Sequence, residues 1–232
     1  YDSSNCTGDK VLTGNSCGGK YEKCIEPLQY LYSDRTLSAE IIPGKSVIGI
    51  AVDPENRLAV AIDYIMTTGW GGYGIDIPTL ENTPSSGAGI YVRGERDSYL
   101  IRDGKANTAK ILAYGRSNGI SYPAAEAAYN YQPGSCSSSS WCGRGNWYLP
   151  SNWQVFPYFD NRATIHLMLK AINKMPDDWW YTRNDFYTVT SNEINAKESG
   201  FIYINTGGMA HGGKNLTEPD NLQTLVLPYI TY

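Results

Sequence analysis

Two histidines are the whole imidazole supply of this 232-residue chain, and neither stands where nucleophilic catalysis would need it. A hydrolase of the serine or cysteine type requires a base within reach of the nucleophile and a third group that orients the base. His166 falls inside a run of helical periodicity and reads as a packed helix residue, and His211 lies in what reads as a mobile loop, Gly207-Gly-Met-Ala-His-Gly-Gly213. The sequence has no Gly-x-Ser-x-Gly elbow, and Asp103-Gly-Lys-Ala-Asn-Thr108 lacks the glycine spacing of a phosphate-binding loop. No catalytic residue is assigned, and the chain is read as non-enzymatic.

Binding chemistry is better represented. Trp179-Trp-Tyr181 stands beside Arg183, Asn184 and Asp185, which sets stacking platforms next to hydrogen-bonding groups. A flat indole or phenol face over a sugar ring, flanked by amide and carboxylate oxygens, suits carbohydrate contact. Trp141 lies between two cysteines, and Trp70 and Tyr73 sit in a glycine-rich stretch. The candidate ligand-binding set is therefore Trp70, Tyr73, Trp141, Trp180, Tyr181, Arg183, Asn184 and Asp185, with Trp147 and one of Trp179 and Trp180 assigned to the core. Glu218-Pro-Asp-Asn221 offers hard oxygen donors on a proline-held loop, the chemistry that suits calcium. It stands just before the last strand, so no metal or other cofactor is assigned. Ca²⁺ at Glu218, Asp220 and Asn221 is kept as a secondary reading.

The five cysteines form no Cys-x-x-Cys pair, which argues against a zinc ribbon or a thioredoxin-type motif. A Cys136–Cys142 disulfide would close a short serine-rich loop and hold it for display. Cys6, Cys17 and Cys24 crowd the first 24 residues, with their pairing open and one of them available to another chain. Such usage suits an extracellular protein.

These side chains need elements to carry them. Residues 1–27 read as an extended, cysteine-bearing lead-in, and residues 28–232 as one main domain. Val47–Val52 and Leu58–Ile62 read as a hairpin turning at Asp53-Pro-Glu-Asn-Arg57. Residues 67–97 read as a long surface excursion. Helices are expected from Ala106 to a stop at Gly115, from a Ser121 cap to Tyr131, briefly after a Ser151 cap, and from Asp160 to Asn173. In the last of these, Ile165, Met168, Leu169 and Ile172 form one apolar stripe. Strands follow at Phe186–Thr190 and Phe201–Ile204, and the chain ends in a terminal strand with Pro228 at an edge or bulge. A net charge of −4 argues against a general nucleic-acid binder. No apolar run approaches the roughly 20 residues of a membrane span. Beginning at Tyr1 without Met or a signal peptide, the chain reads as a mature product or a fragment of a longer secreted protein.

Asp103–Tyr114, Ala124–Tyr129, Gly145-Asn-Trp-Tyr-Leu-Pro-Ser151, Thr188-Val-Thr-Ser-Asn-Glu193 and Phe201-Ile-Tyr-Ile-Asn205 occur in that order. Together they resemble bacterial secreted domains related to the C-terminal domain of the Legionella collagen-like adhesin. That resemblance implies an α+β, C-type-lectin-like fold: a twisted antiparallel sheet, two or three helices and long display loops. Glu218-Pro-Asp-Asn221 likewise resembles the Glu-Pro-Asn motif of animal C-type lectins. The implied function is an extracellular or cell-surface module that adheres to a glycan or to a host or bacterial surface protein. The alternatives are a structural subunit of a surface fibre or pilus, self-assembling through the N-terminal segment, and a variable-loop binding protein.

Overall fold

The computed structural model describes residues 11–13, 23–25, 27–83, 103–174, 187–203, 209–215 and 224–232. In the lead-in, β1 (Val11–Thr13) pairs antiparallel with β2 (Lys23–Ile25) as a two-stranded ribbon that the sequence reading did not anticipate. The remaining strands are β3 (Gln29–Tyr32), β4 (Leu37–Ser38), β5 (Val47–Asp53), β6 (Leu58–Ala61), β7 (Ile65–Thr67), β8 (Tyr187–Glu193), β9 (Glu198–Tyr203), β10 (Met209–Gly213), β11 (Thr224–Val226) and β12 (Tyr229–Thr231). The helices are α1 (Gly104–Asn118), α2 (Pro123–Asn130), α3 (Asn152–Asp160) and α4 (Arg162–Ala171).

The α+β class holds, but the expected single antiparallel sheet does not. Ten of these strands make two five-stranded sheets, ordered β12-β6-β5-β3-β4 and β10-β9-β8-β11-β7. The first is antiparallel throughout, and the second contains one parallel pair, β8 with β11. Two chain segments step from one sheet to the other side by side. β6 and β12 pair in the first sheet, and their continuations β7 and β11 pair in the second. Pro228 marks that step, immediately before β12 at the edge of the first sheet, rather than a bulge in one terminal strand. It brings no N–H to a ladder, while its carbonyl accepts from Ala61 N–H at 2.8 Å.

The first sheet is covered on both faces, and its side chains divide with the period of two that a pleat imposes. Tyr30, Tyr32, Ile50, Val60 and Tyr229 join Val155, Phe159, Ile165 and Leu169 of α3 and α4. Leu31, Ile48, Ala59 and Ile230 turn to Trp147, Tyr131 and the two cysteines. The expected hairpin forms, with Asp53 accepting from both the backbone and side-chain N–H of Asn56 at 3.2 and 2.7 Å. Gly49 sits where a Cβ would meet the Val60 carbonyl at 2.7 Å, so a larger residue would push the strands apart. The second sheet packs Tyr187, Val189, Phe201 and Val226 against Ile111 and Leu112 of α1 and the alanines of α2.

The helix boundaries depart from expectation in instructive ways. α1 runs through Gly115 to a left-handed cap at Gly119, because Gly115 lets Ile120 and the Tyr122 ring approach. α2 is capped by Tyr122 rather than Ser121, and the Glu126 carboxylate accepts from both residues. Ser151 does cap, in a reciprocal box with Gln154. It starts a full nine-residue helix, and the chain breaks at Asn161 before α4 begins.

Candidate functional site

Gly145–Ser151 is the strip on which the candidate surfaces rest, and its residues are tied to several different parts of the chain. Trp147 Nε1 donates to the Cys142 carbonyl at 2.8 Å, and Tyr148 exchanges backbone bonds with Tyr229 at 3.0 and 2.9 Å. Leu149 N–H donates to Thr108 Oγ1 at 3.0 Å, and the Pro150 carbonyl accepts from Ser191 N–H at 2.8 Å. Trp147 is 1% exposed, as its assignment to the core requires. The strip thus joins both sheets to α1, and two candidate regions flank it.

The first region is the Cys136–Cys142 turn. The disulfide forms, with an S–S distance of 2.07 Å and a Cα–Cα distance of 5.7 Å. Its sulfurs are buried beneath Tyr131 and Trp147, whose rings meet edge to face at 4.8 Å, and only Ser137–Ser139 are exposed. The bond therefore anchors the turn to the core as well as closing it. Trp141 is half-buried rather than displayed. Its Nε1 donates to the Ser33 carbonyl at 2.8 Å, and the Arg35 guanidinium lies 4.8 Å from its ring centre. Arg35 itself is held at φ 69°, in the left-handed region that side chains seldom adopt. Beside it Lys45 lies 2.7 Å from Asp34, and hydrogen bonds from Lys45 and Thr36 hold the exposed Asp34 carboxyl down at about 2. The outcome is a charged, hydrogen-bonding surface with one indole edge in it.

The second region is the glycine-rich segment 67–83, which lies against the protein; the rest of the expected 67–97 excursion, residues 84–97, lies outside the described residues. Trp70, expected as an exposed platform, is 2% exposed. Its Nε1 donates to the Thr190 carbonyl at 2.8 Å and its ring meets Tyr122 edge-on at 5.5 Å. Trp70 and Gly71 N–H groups both donate to the Lys214 carbonyl, at 3.0 and 3.1 Å, and Thr83 N–H donates to the Glu193 carbonyl at 2.7 Å. Tyr73, at 50% exposure, is the one ligand candidate on this segment that faces water.

Beneath the segment lies an ion pair absent from the sequence reading. Lys214 Nζ contacts Glu193 Oε1, and both side chains are fully buried. Nζ also donates to the Ile75 carbonyl at 2.6 Å, and Glu193 Oε2 accepts from Ile77 N–H at 3.1 Å. Burial pushes the Glu193 carboxyl up and the Lys214 amine down, each opposed by the partner's charge. Glu193 closes a strand whose residues are all buried, where a charge must find a partner, and that burial is a property of the fold rather than of the sequence.

His211 lies on β10 opposite Gly200 rather than in a loop, with Nδ1 3.2 Å from Glu198 Oε1. Trp180, Tyr181, Arg183, Asn184 and Asp185 lie outside the described residues, as do Glu218, Asp220, Asn221, Cys6 and Cys17. Among the described residues no group of three or more histidine, cysteine, aspartate or glutamate side chains could hold a metal ion. Among them, too, no helix is long and apolar enough to cross a membrane.

No family model and no curated protein matches the sequence. Among solved structures, the fold is similar to that of a fimbrial protein from Bacteroides ovatus, with a TM-score of 0.56 at 14% identity. The likeness covers 88% of this chain and 48% of that one, so this chain spans about half the length of the structure it matches. At that identity the likeness concerns the fold alone.

Proposed function

We propose that this chain is a non-enzymatic module of a bacterial surface fibre, located outside the cell and working without a bound cofactor. The observation that carries this reading is the fold likeness to a fimbrial protein over most of the chain. The inward commitment of Trp70 and of the Trp141 N–H supports it, since a glycan-stacking surface needs open ring faces. Adhesion to a glycan or surface protein through Tyr73, Trp141 and residues 180–185 is the second reading. It stays with the collagen-like adhesin resemblance and the C-type-lectin-like fold that goes with it.

The two readings separate in one experiment. Purified chain is concentrated and followed by light scattering and negative-stain electron microscopy, and the same preparation is applied to a glycan array. Filaments or ordered oligomers support the fibre subunit. A monodisperse monomer with saturable glycan binding that Tyr73→Ala or Trp141→Ala abolishes overturns it in favour of the adhesin.

A further inference from the structure

The buried pair beneath the 67–83 segment holds a nucleophile against an electrophile. An amine in contact with a carboxyl group, sealed from solvent and held from both sides, has the components of an acyl transfer. We propose that Lys214 and Glu193 become joined by an intramolecular amide bond that forms once the chain has folded. The geometry supplies what the reaction needs. Lys214 Nζ is aimed by its bond to the Ile75 carbonyl, and it contacts the carboxyl at Oε1. The other carboxyl oxygen, Oε2, rests on Ile77 N–H at 3.1 Å, where a backbone donor would stabilise charge developing on that oxygen. The Trp70 ring face lies 4.9 Å from Nζ and closes the site on that side.

The reaction requires both groups uncharged. Burial acts in that direction on each of them, so transfer of one proton from the ammonium to the carboxylate gives the neutral pair. The lone pair of Nζ then attacks Cδ of Glu193. The Nζ–Cδ bond forms, and the Cδ–Oε1 bond breaks. Oε1 leaves as water, carrying its own proton and one from the nitrogen, and nothing is oxidised or reduced. Holding the two groups together replaces a bimolecular encounter by an effective concentration of about 10⁵ M or more, which favours condensation over hydrolysis. The product keeps both hydrogen bonds: Oε2 becomes the amide carbonyl on Ile77 N–H, and the remaining N–H serves the Ile75 carbonyl. A buried ion pair is thereby exchanged for a buried neutral amide whose donor and acceptor are both satisfied. The link would tie β8 to the turn after β10 across 21 residues, locking the edge of the second sheet and the segment above it.

The test is the intact mass of the folded, full-length chain after reduction of its disulfides, followed by proteolysis and fragmentation of the peptides. The expected result is a mass lower than the sequence by one water, with residues 193 and 214 recovered in a single branched peptide. Glu193→Ala should restore the full sequence mass. A wild-type mass equal to the sequence after prolonged incubation overturns the proposal. So does a loss of water that maps to an aspartate elsewhere. The wild-type measurement decides the matter even if the variant does not fold.

Discussion

Trp70 and Tyr73 are three residues apart and similar in chemistry, yet the fold gives them opposite fates. Trp70 fills the space between Tyr122 and the Lys214 side chain, so Trp70→Ala should cost about 3–5 kcal/mol in denaturant unfolding. Tyr73→Ala should stay within about 0.5 kcal/mol on the same measurement. A loss of stability at Tyr73 as large as that at Trp70 would mean that the segment does not lie as described. Measured against the pair in its ionic form, Lys214→Met leaves Glu193 buried without its partner, and a loss of about 3–5 kcal/mol is expected. Adding Glu193→Leu to that variant should recover part of the loss, because the uncompensated carboxylate is then gone.

At the scale of elements, the chain places its connections with capping groups and close approaches. Ser151 accepts from Gln154 N–H, and Gln154 Oε1 accepts from the N–H groups of Ser151 and Gly104, so one side chain serves the starts of both α3 and α1. Ser151→Ala should cost about 1 kcal/mol. Gly104→Ala should cost more, roughly 1–3 kcal/mol, because its Cβ would meet the Leu149 carbonyl at 2.4 Å and that backbone is held at both ends. Thermal unfolding of the two variants should rank them in that order. The same elements show how far local pattern reaches. The hairpin of β5 and β6, the Ser151 cap and the stripe of α4 were legible because each depends on residues within a few positions of one another. The end of α1 was not, since Gly115 continues the helix for a reason that lies in Tyr122, on the next element.

For the molecule as a whole, buried tyrosines tie stability to alkaline pH. Tyr122 and Tyr148 are both raised from 10.0 to about 12, chiefly by burial. A folded-state value above the unfolded one means that the folded protein holds the proton more tightly. Their contribution is whole below pH 10 and is lost as the pH rises towards about 12. Denaturant midpoints should therefore fall across that window, and a block of tyrosinate absorbance should appear only with unfolding. Midpoints that stay flat through the window would show that these hydroxyls reach water. The sequence by itself determined the main hairpin, four helical segments and the Cys136–Cys142 bond, because periodicity, capping residues and short spacing act locally, while the α+β class came with the resemblance. Only the tertiary structure decided that the strands divide between two sheets, with β6–β7 and β11–β12 crossing together. It alone decided that Trp70 turns inward and that Glu193 meets Lys214. Those outcomes depend on contacts between residues far apart in sequence, Glu193 and Lys214 by 21 positions and Trp70 and Thr190 by 120, and no local preference encodes which distant surface will cover a ring or neutralise a charge.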